Sequence, residues 1–201
     1  SARAIEMKEI ENAFQETSAI LFGRRLSGMT DYEKWLERHV KGKVEPVKSK
    51  ISDGIVYMPS VDFYKQLGKN VVTLNESLVL GNRKGLAMEE VELLTLANSS
   101  RTLAKIKTTT PEIIYSRNIG TERSSNYGPT QFCYKVTFTW FSKYIAYTFW
   151  ARDSEHLFGC ANVAAGSSFC IKCYSSTKLT RCFEVNDSNN CADCYFCHNC
   201  E

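Results

Sequence analysis

Sulfur is the most conspicuous chemistry in this chain. Nine cysteines occur in 201 residues, and eight of them fall between Cys160 and Cys200. Cys170-x2-Cys173 is followed by seventeen residues and then by Cys191-x2-Cys194. Two-residue gaps let a tight turn aim two thiolates at one ion, so two such turns complete a tetrahedral zinc site. The spacing therefore predicts Zn²⁺ on Cys170, Cys173, Cys191 and Cys194, with Cys197, Cys200 and His198 as ligands of a second ion. Two features pull the other way. The residues around the thiols include Ile171, Tyr195 and Phe196, which are bulky for a tight metal turn, and Cys191, Cys194, Cys197 and Cys200 supply more sulfur than one tetrahedron needs. An iron–sulfur run would end with a three-residue gap and a proline, and this one does neither.

The same region also reads as a solenoid. Leu157-Phe158-Gly159-Cys160, Ser168-Phe169-Cys170-Ile171, Thr180-Arg181-Cys182-Phe183 and Tyr195-Phe196-Cys197-His198 each join an aromatic to a cysteine, with Asn and Ser following. Short strands between small polar corners are what stacked coils require. Cysteine, small and readily buried, suits the inside of a narrow coil as a ladder of thiols. A third arrangement, a disulfide framework, fits poorly with an odd cysteine count.

Other chemistry is sparse. There are three histidines. His39 falls on an apolar helical face, and His156 stands near Cys160, a formal nucleophile–base pair. No hydrolase elbow, zinc-protease motif, phosphate-binding glycine loop or dinucleotide fingerprint occurs. The net charge of +3 is too small to imply nucleic acid by itself. Arg24, Arg25, Lys41, Lys43, Lys48 and Lys50 are the residues that would contact phosphates if one were bound.

These groups must be positioned by the elements around them. Met7, Ile10, Phe14 and Leu21 form one stripe of a helix over residues 4–22. Thr30-x-x-Glu33 reads as a capping box for a second helix carrying Tyr32, Trp35, Leu36, His39 and Val40 on one face. A basic linker follows over 41–50, then a strand over 51–58, an ambiguous apolar stretch over 71–80, a helix over 86–98 and a loop over 116–131. Nine of the nineteen residues from Phe132 to Trp150 are aromatic. Tyr134, Val136, Phe138 and Trp140 alternate with polar residues, which predicts an antiparallel hairpin turning at Ser142-Lys143, and secondarily a stacking platform for sugars or bases.

The expected class is α+β: N-terminal helices, an aromatic antiparallel sheet and a C-terminal cysteine-rich β module, either zinc-ribbon-like or the start of a β-solenoid. The expected units are a helical arm (1–45), an α+β core (46–155) and a cysteine module (156–201) that is cut within its pattern. The start at Ser1, without Met, reads as a processed end. No signal peptide or membrane-spanning run is visible, which places the chain inside a cell or a virion. The functional expectation is a non-catalytic structural subunit that self-associates or joins a shell, virion or filament. The alternative is a zinc-dependent nucleic-acid-binding protein.

Overall fold

In the computed structural model, which describes residues 2–67, 70–83 and 85–195, the backbone from residue 132 to residue 193 repeats every three residues, with one extra residue inserted at Gly166. One residue in each triplet is left-handed, with φ between 49° and 60° at positions such as Phe132, Lys135, Phe138, Phe141, Asn190 and Asp193. The residue after it points inward. This conformation costs an L-residue about 1–2 kcal/mol. The cost is offset because the N–H of each left-handed residue reaches the preceding coil: Lys135 donates to the Glu122 carbonyl at 3.1 Å, Tyr147 to Tyr134 at 3.0 Å and Asp193 to Thr180 at 2.9 Å.

The result is a parallel β-solenoid of about five turns, two strands per turn. One sheet stacks β3 (Ile119–Glu122), β5 (Thr130–Tyr134), β7 (Ser142–Ala146), β9 (Glu155–Phe158) and β11 (Ser168–Ile171). The other stacks β4 (Ser125–Tyr127), β6 (Thr137–Trp140), β8 (Phe149–Arg152), β10 (Ala161–Ala164) and β12 (Tyr174–Thr177). Single parallel bridges extend both ladders to Asn189 and Tyr195. Cys133 pairs with Ile145 and Ile145 with Leu157, a twelve-residue repeat; Leu157 pairs with Cys170, one residue longer, the extra residue being absorbed where Ala165 and Gly166 are both left-handed.

The interior is narrow and is filled by one side chain per triplet. Its apolar part is Cys133, Val136, Ile145, Ala151, Leu157, Cys160, Val163, Cys170, Cys173, Leu179, Cys182, Val185 and Cys191. Thr139, Ser142, Thr148, Ser154, Ser167, Ser176 and Ser188 occupy the remaining inward positions and are buried. The hydroxyls are satisfied locally. Ser142 donates to the Trp140 carbonyl at 2.8 Å and accepts the Ser154 N–H at 3.3 Å; Ser176 donates to Tyr174 at 2.7 Å and accepts from Ser188 at 3.1 Å. The thiols repeat this bonding. Cys133, Cys160, Cys170, Cys173, Cys182, Cys191 and Cys194 each donate to the carbonyl two residues earlier, at 3.2–3.6 Å. Cysteine here is a slightly larger, more apolar serine.

Helix α1 (Ala2–Phe22) crosses all five strands of the first sheet. Its stripe falls as expected: Ile10, Phe14 and Leu21 are buried against Tyr134, Ala146, Phe158 and Ile171, and Met7 packs beside them. Phe14 meets Phe158 edge-on at 5.2 Å, and Phe22 meets Phe183 at 4.9 Å. The Tyr195 hydroxyl donates to the Leu21 carbonyl at 3.0 Å.

The remaining elements depart from expectation in instructive ways. The second helix is broken into a 3-10 turn (Met29–Tyr32), α2 (Glu33–Leu36) and another 3-10 turn (Glu37–His39), and Thr30 caps nothing. Glu11 of α1 takes the Gly28 and Met29 N–H groups instead, both at 2.8 Å. The basic stretch is not a linker: it forms β1 (Val44–Lys48), antiparallel to β2 (Ile55–Pro59), with Pro46 on this two-stranded ribbon. Short helices α3 (Asp62–Lys65) and α4 (Leu74–Arg83) follow. Glu76 ties α4 to the ribbon by accepting from Ser49 at 2.6 Å and from Ser52 and the Thr73 N–H, and these bonds hold its carboxyl down to about 2. The helix expected over 86–98 is two: α5 (Met88–Glu92) and α6 (Leu96–Leu103), because Thr95 and Asn98 cap each other and start a new helix.

The loop expected over 116–131 is already the first coil, and the antiparallel aromatic hairpin is parallel solenoid, with Ser142-Lys143 opening β7 rather than turning. None of the nine aromatics of 132–150 faces the interior. The coils also run through residue 155, which opens β9.

Stability should follow volume at the inward positions. Leu157→Ala is expected to cost about 2–5 kcal/mol. Cys170→Ser, which keeps the donor to the Ser168 carbonyl, should cost about 1 kcal/mol. Urea unfolding of the two variants checks the order; equal losses would contradict it.

Candidate functional site

The structure spreads the expected zinc ligands along the solenoid. Cys170, Cys182 and Cys194 stack in one column, below Leu157, Ile145 and Cys133. Cys173 stands in another, over Cys160. Cys170 and Cys194 are thus two strand spacings, about 10 Å, apart with Cys182 between them. Sulfurs on a single zinc, at about 2.3 Å each, lie within about 4 Å of one another. Cys170, Cys173, Cys191 and Cys194 do not meet at one point, and among the described residues no group of three or more Cys, His, Asp or Glu side chains is placed to hold a metal ion. Cys197, Cys200 and His198 lie outside the described residues. The two-residue gaps have a different origin: they are the triplet of the coil.

Burial also controls the chemistry of these thiols. It pushes Cys133 up to about 12, and raises Cys160, Cys170 and Cys173 well above the ordinary thiol range. Thiolate is the nucleophilic and metal-binding form, so these four are held in the inert form. His156 and Cys160 are not a pair. Cys160 points inward, whereas His156 is on the outer surface of the first sheet in a column of rings: Phe132 on Tyr144 at 5.5 Å, Tyr144 on His156 at 5.0 Å and His156 on Phe169 at 4.4 Å. The His156 Nδ1 is buried without a hydrogen-bond partner, and Nε2 is 3.7 Å from a Glu16 carboxylate oxygen on α1.

The basic residues are dispersed. Arg24 and Arg25 are exposed after α1; Lys43 and Lys48 stand at opposite ends of the β1 segment, Lys48 paired with Asp53 at 2.6 Å; Lys50 bonds Asn70 at 2.9 Å. Lys41 belongs elsewhere, in the cavity described next.

Two surfaces stand out instead. The first is apolar. Helices α5 and α6 bury no residue at all, and Leu93 and Leu96 are 72% and 96% exposed, with Leu78, Val79, Met88 and Val91 also facing solvent. The second is a cavity of about 820 Å³ where residues 38–41 pass over the corner of the coils. Two glycines create that passage. A Cβ on Gly159, which is left-handed at φ +67°, would lie 2.5 Å from the Leu36 carbonyl oxygen, and one on Gly42 would lie 2.0 Å from the Phe149 ring. Lys172, buried and paired with Glu184, sits 4.9 Å from the centre of the Trp35 ring and locks α2 to the same corner. The cavity floor is one outward column, Phe149, Ala161, Tyr174 and Asn186. His39, expected as a core or interface residue, is exposed on its wall and meets Tyr174 edge-on at 6.0 Å. Sequence inspection missed this site. Its only signal is the 12-, 13- and 12-residue spacing of 149, 161, 174 and 186, visible once the coil length is known.

No family model matches the chain, and neither a curated protein nor a solved structure is detectably similar to it. Among the described residues, no helix is long and apolar enough to cross a membrane.

His156 yields a pH dependence. Burial lowers its pKa, outweighing the pull of Glu155 and Glu16. An unfolded imidazole takes up a proton near pH 6.5 and the folded one only below that, so the unfolded state binds more protons and stability falls as pH drops from about 7 to about 5. His156→Phe, which continues the ring column, should flatten this slope in urea midpoints measured at both pH values. An unchanged slope would contradict the assignment.

Proposed function

We propose that this chain is a non-catalytic structural subunit that works by associating with further copies of itself, as one piece of a larger assembly. The observation that carries this reading is the uncovered apolar face of α4, α5 and α6. Helices of five and eight residues are too short to persist in water on their own propensity. They ordinarily owe their stability to a buried face, and here the large side chains that would form it, Leu93 and Leu96 foremost, are open to solvent. Large apolar side chains exposed in this number mark contact sites.

Charge favours a second copy as the occupant. Exposed Glu89 and Glu92 on α5 and exposed Arg101 and Lys107 on and just after α6 surround the apolar residues, beside the intrachain ion pair of Glu90 with Lys105. Pairing two copies about a two-fold axis would set these acidic groups of each copy against the basic groups of its partner. The inert thiols and the separation of His156 from Cys160 support a role without covalent catalysis.

Sedimentation velocity from about 1 to 100 μM provides the test, since association with a Kd in or below that range shows as a concentration-dependent coefficient. The wild type should associate, and the Leu93→Glu/Leu96→Glu double variant should sediment as a monomer with an unchanged circular dichroism spectrum. A wild-type chain that remains monomeric throughout would refute the proposal.

A further inference from the structure

The corner cavity has the composition of a small-molecule site, and it is independent of the apolar helices. Its floor is hollow for a definite reason. Phe149, Ala161 and Tyr174 are register partners on three successive strands, so the two ring-bearing positions are about 10 Å apart and only a methyl group lies between them. A six-membered ring seated over Ala161 would stand about 5 Å from each aromatic, within the range of ring–ring contact. A flat base touching one ring at about 3.5–4 Å would leave the other uncovered. A puckered ring with hydroxyls on both faces fills the gap better.

The polar lining fits the same shape. Asn162, Asn186 and Ser175 both donate and accept hydrogen bonds, as hydroxyl recognition requires. The Tyr174 hydroxyl is buried without a hydrogen-bond partner, and its burial raises its pKa, so it is held as a proton donor. Charge is one-sided. Arg38 and Lys41 line the wall, and the single lining carboxylate, Glu184, is already paired with Lys172. We infer that this cavity binds a hydroxylated sugar ring bearing an anionic group, with the ring between Phe149 and Tyr174 over Ala161 and the anion toward Arg38 and Lys41.

Isothermal titration calorimetry on the full chain tests this with four probes: trigalacturonate, glucose 6-phosphate, maltotriose and AMP. Binding of trigalacturonate or of glucose 6-phosphate, at a Kd of about 10 μM to 1 mM and tighter than maltotriose, is expected, and which of them binds identifies the anion as carboxylate or phosphate. Ala161→Leu, an outward substitution that fills the hollow, should weaken that binding by about 10-fold or more. Arg38→Gln, at an exposed position, should weaken the charged probe but leave maltotriose unaffected. Thermal melts establish that both variants are folded. Absence of binding by both charged sugars, binding of AMP alone, or affinity unchanged in folded Ala161→Leu would each overturn the inference. None of these outcomes depends on whether the chain self-associates.

Discussion

A left-handed residue at every third position is the constraint on which the rest of this molecule depends. It bends the chain often enough to close a coil in twelve residues, and it turns the next side chain inward. Above the first coil, where Tyr127 takes an inward place, the interior of the described coils holds no rings and is filled by Ser, Thr, Cys, Ala and Val, with Ile and Leu only at a few levels. The inward thiols and most inward hydroxyls then answer the carbonyl two residues back, while Ser167 reaches the Ala164 carbonyl three back. Individually these bonds are weak, particularly from sulfur. Collectively they leave the interior with few unsatisfied groups while keeping it apolar enough to exclude water. Bulky residues go outside, where the first sheet uses them to seat α1.

The exterior divides according to what covers it. On the first sheet, Phe158, Ile171 and Tyr134 disappear under α1, and the ring column from Phe132 to Phe169 runs alongside. At the corner, Gly159 and Gly42 allow residues 36–42 to come close enough to wall off a cavity. Farther out, the segment carrying α4, α5 and α6 leaves Leu78, Leu93 and Leu96 open to solvent. Both surfaces proposed for recognition thus involve the chain that precedes the coils.

Parts of this organisation were legible from residue types. The stripe of α1 was, because a 3.6-residue period over five turns has no competing explanation. The thiol ladder was legible as an alternative to zinc, although the observed column, Cys170 to Cys182 to Cys194, aligns different residues from the expected segments containing Cys160 and Cys197. The two readings were inseparable by spacing, since a metal turn and a three-residue coil both place cysteines three apart. The alternation of Tyr134, Val136, Phe138 and Trp140 misled for a physical reason. Cys133, Val136 and Thr139 are the inward residues of successive triplets, so Tyr134, which follows Cys133, and Phe138, which precedes Thr139, are external while Val136 is internal, without any two-residue period. Thr30 failed as a cap because the turn starts earlier, at Gly28 and Met29, whose N–H groups are taken by Glu11, seventeen and eighteen residues away. Contacts of that range leave no local trace. The corner cavity was invisible for the same reason, being assembled from positions twelve and thirteen residues apart.

The central claim is that the cysteines act as interior packing groups, each a thiol bonded to its own strand. Counting reactive thiols in natively purified protein, with and without a zinc chelator and then in denaturant, tests it most directly. The account predicts that Cys133, Cys160, Cys170, Cys173, Cys182 and Cys191, assigned by peptide mapping, resist labelling in the native state, remain resistant with chelator, and all react once the chain is unfolded. Zinc released in stoichiometric amount, with Cys170, Cys173, Cys191 and Cys194 becoming reactive on chelation alone, would contradict it.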